Sequence, residues 1–256
     1  MSENLINLFP DKYTRDARWC PSVLVSLPIG ALIATLSMFY IDMPGFEVVK
    51  NIASIVLSLS FAGGAAIKFL SGKIRDEGKK LEEREFRKRN SLPTTEFLLW
   101  SNAEFSVDYK TAIRNAIKVD FNRELLGENA EKSDETRARK LIAEAVDLIR
   151  PRVKDGVRLL QYNIRYGRAR NLAAGSRVVG LPSAIVCLFL SLLWLDCRAC
   201  VVVESLLLIF YFWQTIMSSA NMRWYGEEYA RVLFAEYMES RSREKSHRQR
   251  SARECK

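Results

Sequence analysis

Apolar residues in this chain gather into four long runs, and the charges lie between them. The first run, Val23 to Ile41, holds 19 residues without a charge. The second lies between Lys50 and Lys68, from Asn51 through Leu57, Leu59 and Phe61 to Ile67. The third is Val178 to Leu195, and the fourth runs from Ala199 to Met222 with a single charge, Glu204. A bilayer core about 30 Å thick needs roughly 20 apolar helical residues, so each run predicts a membrane-spanning helix. Core helices of soluble proteins keep a polar face, whereas 178–195 and 205–213 are apolar all round. The first run is longer than a signal-peptide apolar stretch and follows 22 residues of mixed charge, which predicts a retained span.

Between the second and third runs the pattern becomes helical and polar. Residues 71–90 show only Ile74, Leu81 and Phe86 as apolar positions. Asp76–Lys80, Glu83–Arg87 and Glu85–Arg89 stand at the i,i+4 spacing that supports a solvated helix. This predicts a stalk continuous with the second span. Leu92-Pro93-Thr94-Thr95 breaks it, since proline restricts its predecessor and lacks a donor. Tyr109, Ile113, Ile117 and Phe121 predict a helix over Val107–Leu125. Ser133 or Asp134 is placed to cap the next one, which shows Leu141, Ala145, Leu148 and Ile149 and meets Pro151. The serine-rich basic stretch Ser240–Arg253 predicts disorder.

Charge orients the spans. The chain is 256 residues long with 39 Lys and Arg against 30 Asp and Glu, a net +9. The excess sits in 68–177, with 25 basic and 17 acidic residues, and in 223–256, with 9 and 6. The link 42–50 is net −1, and Asp196-Cys197-Arg198 is a tight turn. Cations prefer the cytoplasmic side, so both basic segments and both termini are expected there, with the two short links outside. The expected fold is an all-α integral membrane protein, four transmembrane helices forming two hairpins with a helical cytoplasmic domain between them. Its segments are 1–22 (N-terminal cytoplasmic), 23–67 (first hairpin), 68–177 (helical cytoplasmic domain), 178–222 (second hairpin) and 223–256 (basic cytoplasmic tail).

Composition narrows the chemistry. A single histidine, His247, leaves no His-based catalysis and no multi-His metal site. Five scattered cysteines are no disulfide scaffold. Cys197-x-x-Cys200 lacks the second half of a four-ligand zinc site but can close a disulfide on the outer side. There is no Gly-rich phosphate loop and no Ser/His/Asp set, so no enzyme activity and no cofactor are expected.

Two surfaces invite a function. From Val153, the residues Val153, Val157, Leu160 and Ile164 fall on one helical face. Lys154, Arg158, Gln161, Arg165 and Arg168 lie about 100° around, with Tyr162 and Tyr166 beside them. Guanidinium groups bind phosphate and tyrosine stacks on bases, but the same face also suits water or anionic lipid headgroups. Within the membrane, Asn51, Ser54 and Ser58 share one face of the second span, and Glu204, Thr215, Ser218 and Met222 share one of the fourth. These residues predict either a hydrated pathway or polar helix packing. Pro28 and Pro182 predict kinks near the cytoplasmic ends of spans one and three. A pore from so few spans needs several copies around an axis.

Leu92-Pro93-Thr94-Thr95-Glu96-Phe97-Leu98 and the stretch Asn163 to Gly175 resemble membrane proteins of bacterial anti-phage defence operons, as does the span order. The chain is most similar to the membrane effector of Hailong-type systems, encoded beside a nucleotidyltransferase, and more broadly to the SLATT group. The resemblance implies an oligomeric ion channel, a tetramer, that depolarises the host membrane and is controlled by a nucleotide oligomer made by the partner enzyme. Carried onto this chain, it implies that the ligand meets Lys154, Arg158, Tyr162, Arg165, Tyr166 and Arg168. The pathway would be lined by Asn51, Ser54, Ser58, Glu204, Thr215 and Ser218. A membrane-anchored scaffold or assembly protein without a pore is the alternative.

Overall fold

A computed structural model describes residues 11–40, 67–86, 92–194 and 198–254. Every element among them is helical, and no strand occurs among the described residues. The chain forms two compact units, Met1–Arg84 with Gly167–Met222, and Glu85–Tyr166 with Arg223–Lys256.

The first unit opens with a π-helical turn, Thr14–Trp19, followed by α1 (Cys20–Val25) and α2 (Leu27–Tyr40). α3 covers 67–86. The C-terminal part of α8 (Val157–Gly175), a π-helical segment Ser176–Gly180 and α9 (Leu181–Trp194) follow. The unit is completed by the first part of a 57-residue helix, α10 (Arg198–Glu254). Both π segments lie just before a proline, Pro21 and Pro182, where a missing N–H loosens the helical ladder. α2 packs along α9. The core joins Val25, Ile74, Ala184 and Tyr211.

Prolines leave carbonyls that need other donors, and later helices supply them. Pro28 withdraws the N–H that would reach the Leu24 carbonyl, and the Tyr211 hydroxyl donates to that oxygen instead. Pro21 withdraws a donor from Ala17 in the α register or from Asp16 in the π register. Asn171 Nδ2 donates to the Ala17 carbonyl at 2.7 Å, and Arg168 Nε to that of Asp16 at 3.1 Å. The approach requires small residues: a Cβ at Gly175 would stand 2.9 Å from Val25, and one at Gly180 only 2.6 Å from the Tyr211 ring.

The second unit is a helical core stabilised by buried cations. Leu92 is extended, and Pro93 starts the single turn α4 (Pro93–Glu96), where the sequence predicts only a break. α5 (Val107–Phe121) is capped by Ser106, which accepts from Tyr109 N, and stops four residues short of the expected end because Asn122 turns left-handed at φ 51°. α6 is Glu128–Ser133. α7 (Glu135–Arg152) is capped by Asp134 and continues through Pro151 to Arg152. Lys110 is fully buried, and its ammonium donates to the carbonyls of Leu99, at 2.7 Å, and Asn102. Arg114 pairs with Glu131 at 3.0 Å, donates to the carbonyls of Leu98 and Leu126, and lies over the Trp100 ring at 4.4 Å. Glu131 in turn accepts from Trp100 N. These bonds hold the irregular chain after α4 against α5 and α6.

Four features differ from expectation. Ser240–Arg253 is helical, and the segment before it supplies core: Ala230, Leu233, Phe234 and Tyr237 are all fully buried. Helix 67–86 is not a bare stalk, because Ile74, Leu81 and Phe86 are buried and Glu82 pairs with Arg170 at 2.7 Å. Lys80 pairs with Glu77 rather than Asp76. In α7 the buried positions are Ile142, Ala145, Val146 and Ile149, and Leu148 is exposed.

Two helical stretches, Val157–Leu193 and Cys200–Glu244, are long and apolar enough to cross a membrane. Their apolar windows are only 28% and 11% buried within the chain, whereas a core helix of a soluble protein would be mostly covered. Ile185, Val186, Phe189, Leu192, Leu206, Ile209, Phe212 and Trp213 all present their side chains outward. The second expected span lies outside the described residues, as does the residue Ile41 that ends the first.

Candidate functional site

The polar residues of the run 199–222 can be placed from the helix upward. Buried positions on α10 recur at Glu204, Tyr211 and Ser218, seven residues apart, and then at Met222. On α9 and the turn before it they recur at Gly180, Ala184, Cys187 and Ser191. Such spacing is the seam of two packed helices. Glu204 is 2% exposed, its Oε2 has no hydrogen-bond partner, and Cys187 and Tyr211 lie within its electrostatic reach. No ion pair to Glu204 occurs among the described residues. Ser218 is buried as well: its hydroxyl accepts from Arg177 Nη2 at 2.7 Å and donates to the Thr215 carbonyl at 2.9 Å. Thr215 Oγ1 is buried without a partner. Within one copy, then, Glu204 and Ser218 face neighbouring helices of the same chain. Asn51, Ser54 and Ser58 lie outside the described residues.

The cationic surface divides between the units. Lys154 sits in the turn before α8, and Arg158 and Arg165 project from it; all three are exposed. Lys154 and Arg158 have no ion-pair partner among the described residues, and Arg165 lies 5.3 Å from the centre of the Tyr162 ring. The tyrosines are engaged in packing: Tyr162 lies against the core of the second unit, and Tyr166 stacks on Tyr229 with centroids 6.4 Å apart. Arg168 belongs to the first unit, where it donates to the Asp16 carbonyl. Three free cations on one turn-and-helix thus remain as a surface for an anionic ligand.

The apolar face is rotated from the predicted one. Val153, Leu159 and Ile164 are buried, whereas Val157 is 70% exposed and Leu160 is exposed too. The turn at Val153–Gly156, closed by Gly156 N to the Val153 carbonyl at 3.0 Å, resets the helical phase before α8 begins.

Sequence reasoning missed Tyr211 and Arg177. Tyr211 was readable from the seven-residue spacing between Glu204 and Ser218, and from Pro28 standing four residues after Leu24. Arg177 carries no sequence signal beyond its place just before the apolar run 178–195. Cys200 is disulfide-bonded, with its partner outside the described residues. No protein-family model matches the chain, and neither the curated proteins nor the solved structures offer a significant match.

Proposed function

We propose that the chain is a four-span protein of the bacterial inner membrane, assembling into a homo-oligomeric, ligand-gated ion channel that depolarises the cell in anti-phage defence. Its cytoplasmic helices bind an anionic nucleotide oligomer supplied by a partner nucleotidyltransferase. The carrying observation is the course of α8. Its exposed cations Arg158 and Arg165, with Lys154 in the turn just before them, stand at the start of an unbroken helical rod that leads, through the π segment Ser176–Gly180, into an unburied apolar helix. A ligand can shift a pore only by its difference in affinity between two states, and a covalently continuous helix is a direct means of sensing that difference. Disulfide-bonded Cys200 supports the topology, because disulfides persist outside the reducing cytoplasm and the basic segments then lie inside.

The test is ion flux through liposomes holding purified protein, with and without short oligonucleotides. Flux that responds to the oligonucleotide, and ceases to respond when Lys154, Arg158 and Arg165 are all changed to Gln, supports the reading. Flux indifferent to nucleotide discards the ligand.

One observation favours a scaffold without a pore: Glu204 and Ser218 are spent on packing within a single chain. Replacing Asn51, Ser54 and Ser58 together by Leu separates the two. A scaffold keeps its stability, whereas a pore lined there stops conducting.

A further inference from the structure

Arg177 stands in the π segment immediately before the third apolar run, and its half-buried side chain crosses to α10. Its Nη2 donates to Ser218 Oγ at 2.7 Å and lies 3.4 Å from both the Thr215 carbonyl and Ser219 Oγ. Every one of these acceptors is neutral. The other shielded arginines behave differently: Arg114, Arg139, Arg152, Arg170 and Arg241 each meet a carboxylate. A guanidinium taken from water without a counter-charge is costly, and among the described residues no carboxylate pairs with Arg177.

The hydrogen-bond inventory points the same way. Arg177 Nε, Thr215 Oγ1 and the hydroxyl of the neighbouring Ser176 are buried with no partner, and Ser176 is completely shielded. Each of these is a donor or can act as one, so donors in and beside Arg177 go unused. A ligand made only of acceptor oxygens and negative charge answers both deficits, and phosphate is that ligand; guanidinium recognises it through parallel N–H bonds. The positive-inside distribution puts Arg177 at the cytoplasmic face, at the depth of lipid phosphates.

We propose that Arg177, with Thr215, Ser218 and Ser219 of α10, forms a binding site for a phosphate group at the cytoplasmic end of the second hairpin, filled by an anionic lipid headgroup or by phosphate from solution. The site rests on the membrane-spanning reading but not on the nucleotide ligand.

Full-length protein is purified in detergent and exchanged into nanodiscs of phosphatidylglycerol or phosphatidylcholine, and retained lipid is counted by native mass spectrometry. A second arm adds inorganic phosphate to the detergent sample and follows thermal unfolding. Wild type should retain phosphatidylglycerol about tenfold better than phosphatidylcholine, the scale of one to one and a half kcal/mol per cation near a membrane. Arg177→Gln should abolish that preference, and Arg177→Lys should keep part of it. Competition by inorganic phosphate assigns the solution source, and lipid preference without a phosphate response assigns the headgroup; either upholds the site. An inserted, folded Arg177→Gln protein that behaves as wild type in both arms overturns it. Should that variant fail to fold, Thr215→Val removes an unpartnered hydroxyl, and wild-type behaviour from it overturns the site equally. Protein recovered in the soluble fraction without detergent defeats the membrane reading instead, a result distinct from inserted protein with no anion preference.

Discussion

The bond from Tyr211 to the Leu24 carbonyl makes a quantitative test of how the first unit is held. Tyr211→Phe keeps the ring, which is fully buried and lies against Gly180, and removes only the hydroxyl. The carbonyl cannot turn to its usual donor, because that position is Pro28. Leaving a buried acceptor unpaired costs about 1–3 kcal/mol, and interhelical bonds in membranes average roughly 0.6 kcal/mol with a ceiling near 1.7. Ser26 N–H, already directed at the Val23 carbonyl at 3.2 Å, also points toward Leu24. That partial partner places the expected loss at about 1 kcal/mol. Pro28→Ala restores a backbone donor, so Tyr211→Phe in that background should cost almost nothing. Unfolding of the purified protein by SDS titration in mixed micelles measures all four corners of the cycle. The reasoning predicts a coupling of about 1 kcal/mol between residues 28 and 211. Additive single and double variants would refute it, and the tyrosine would then be held by packing alone.

Other consequences follow from the same structure. Gly180→Ala drives a methyl group 2.6 Å from the Tyr211 ring and should destabilise the first unit by about 1–3 kcal/mol, read as a lower unfolding midpoint. Glu131→Ala leaves the Arg114 guanidinium, itself almost fully shielded, without its carboxylate; a loss of about 3–5 kcal/mol is expected, and a change under about 1 kcal/mol would show the pair to be solvated. Burial, then the hydrogen bond to the Asp120 carboxylate, raise the Tyr237 hydroxyl above the usual tyrosine range. Its folded value exceeds its unfolded one, so its stabilisation is complete below about pH 10 and is lost as pH rises beyond that. Thermal unfolding followed from pH 8 to 11 should therefore fall less steeply in Tyr237→Phe than in wild type.

The parts of this fold that the sequence makes legible are those set by local chemistry. Stretches 178–195 and 205–213 are apolar all round, and most of the apolar surface of their helices faces outward. Asp134 caps α7, and Pro93 begins α4 after an extended Leu92, because each acts on its own neighbours. What was lost required knowing a partner. Lys110 and Arg114 look like ordinary surface charges one turn apart, and only the irregular chain at 97–102, whose carbonyls accept from both, explains their burial. The turn at Gly156 shifts the phase of α8, so a face drawn through Val153 and Val157 names an exposed residue. Ala230, Leu233, Phe234 and Tyr237 do follow the helical i, i+3, i+4, i+7 spacing, yet the surrounding charge conceals it.

The resemblance motif from Asn163 to Gly175 acquires a physical meaning once the prolines are considered with it. A proline in a helix removes a backbone donor, and the carbonyl left behind must find another partner where it is shielded from water. Arg168 and Asn171 deliver donors to the carbonyls at the Pro21 interruption, and Gly175 lets the backbones come close enough for them to reach. Tyr211 does the same at Pro28 from α10. The interrupted helix thus depends on two later helices for its backbone bonds, and they can release it only by giving up bonds worth about 1 kcal/mol each. In the proposed channel, that is small enough for a ligand's differential binding to overcome and large enough to hold a resting state. If the interruptions were incidental, Pro21→Ala and Pro28→Ala would leave ligand-dependent flux unchanged. A gate that works through them should instead respond to ligand over a displaced concentration range.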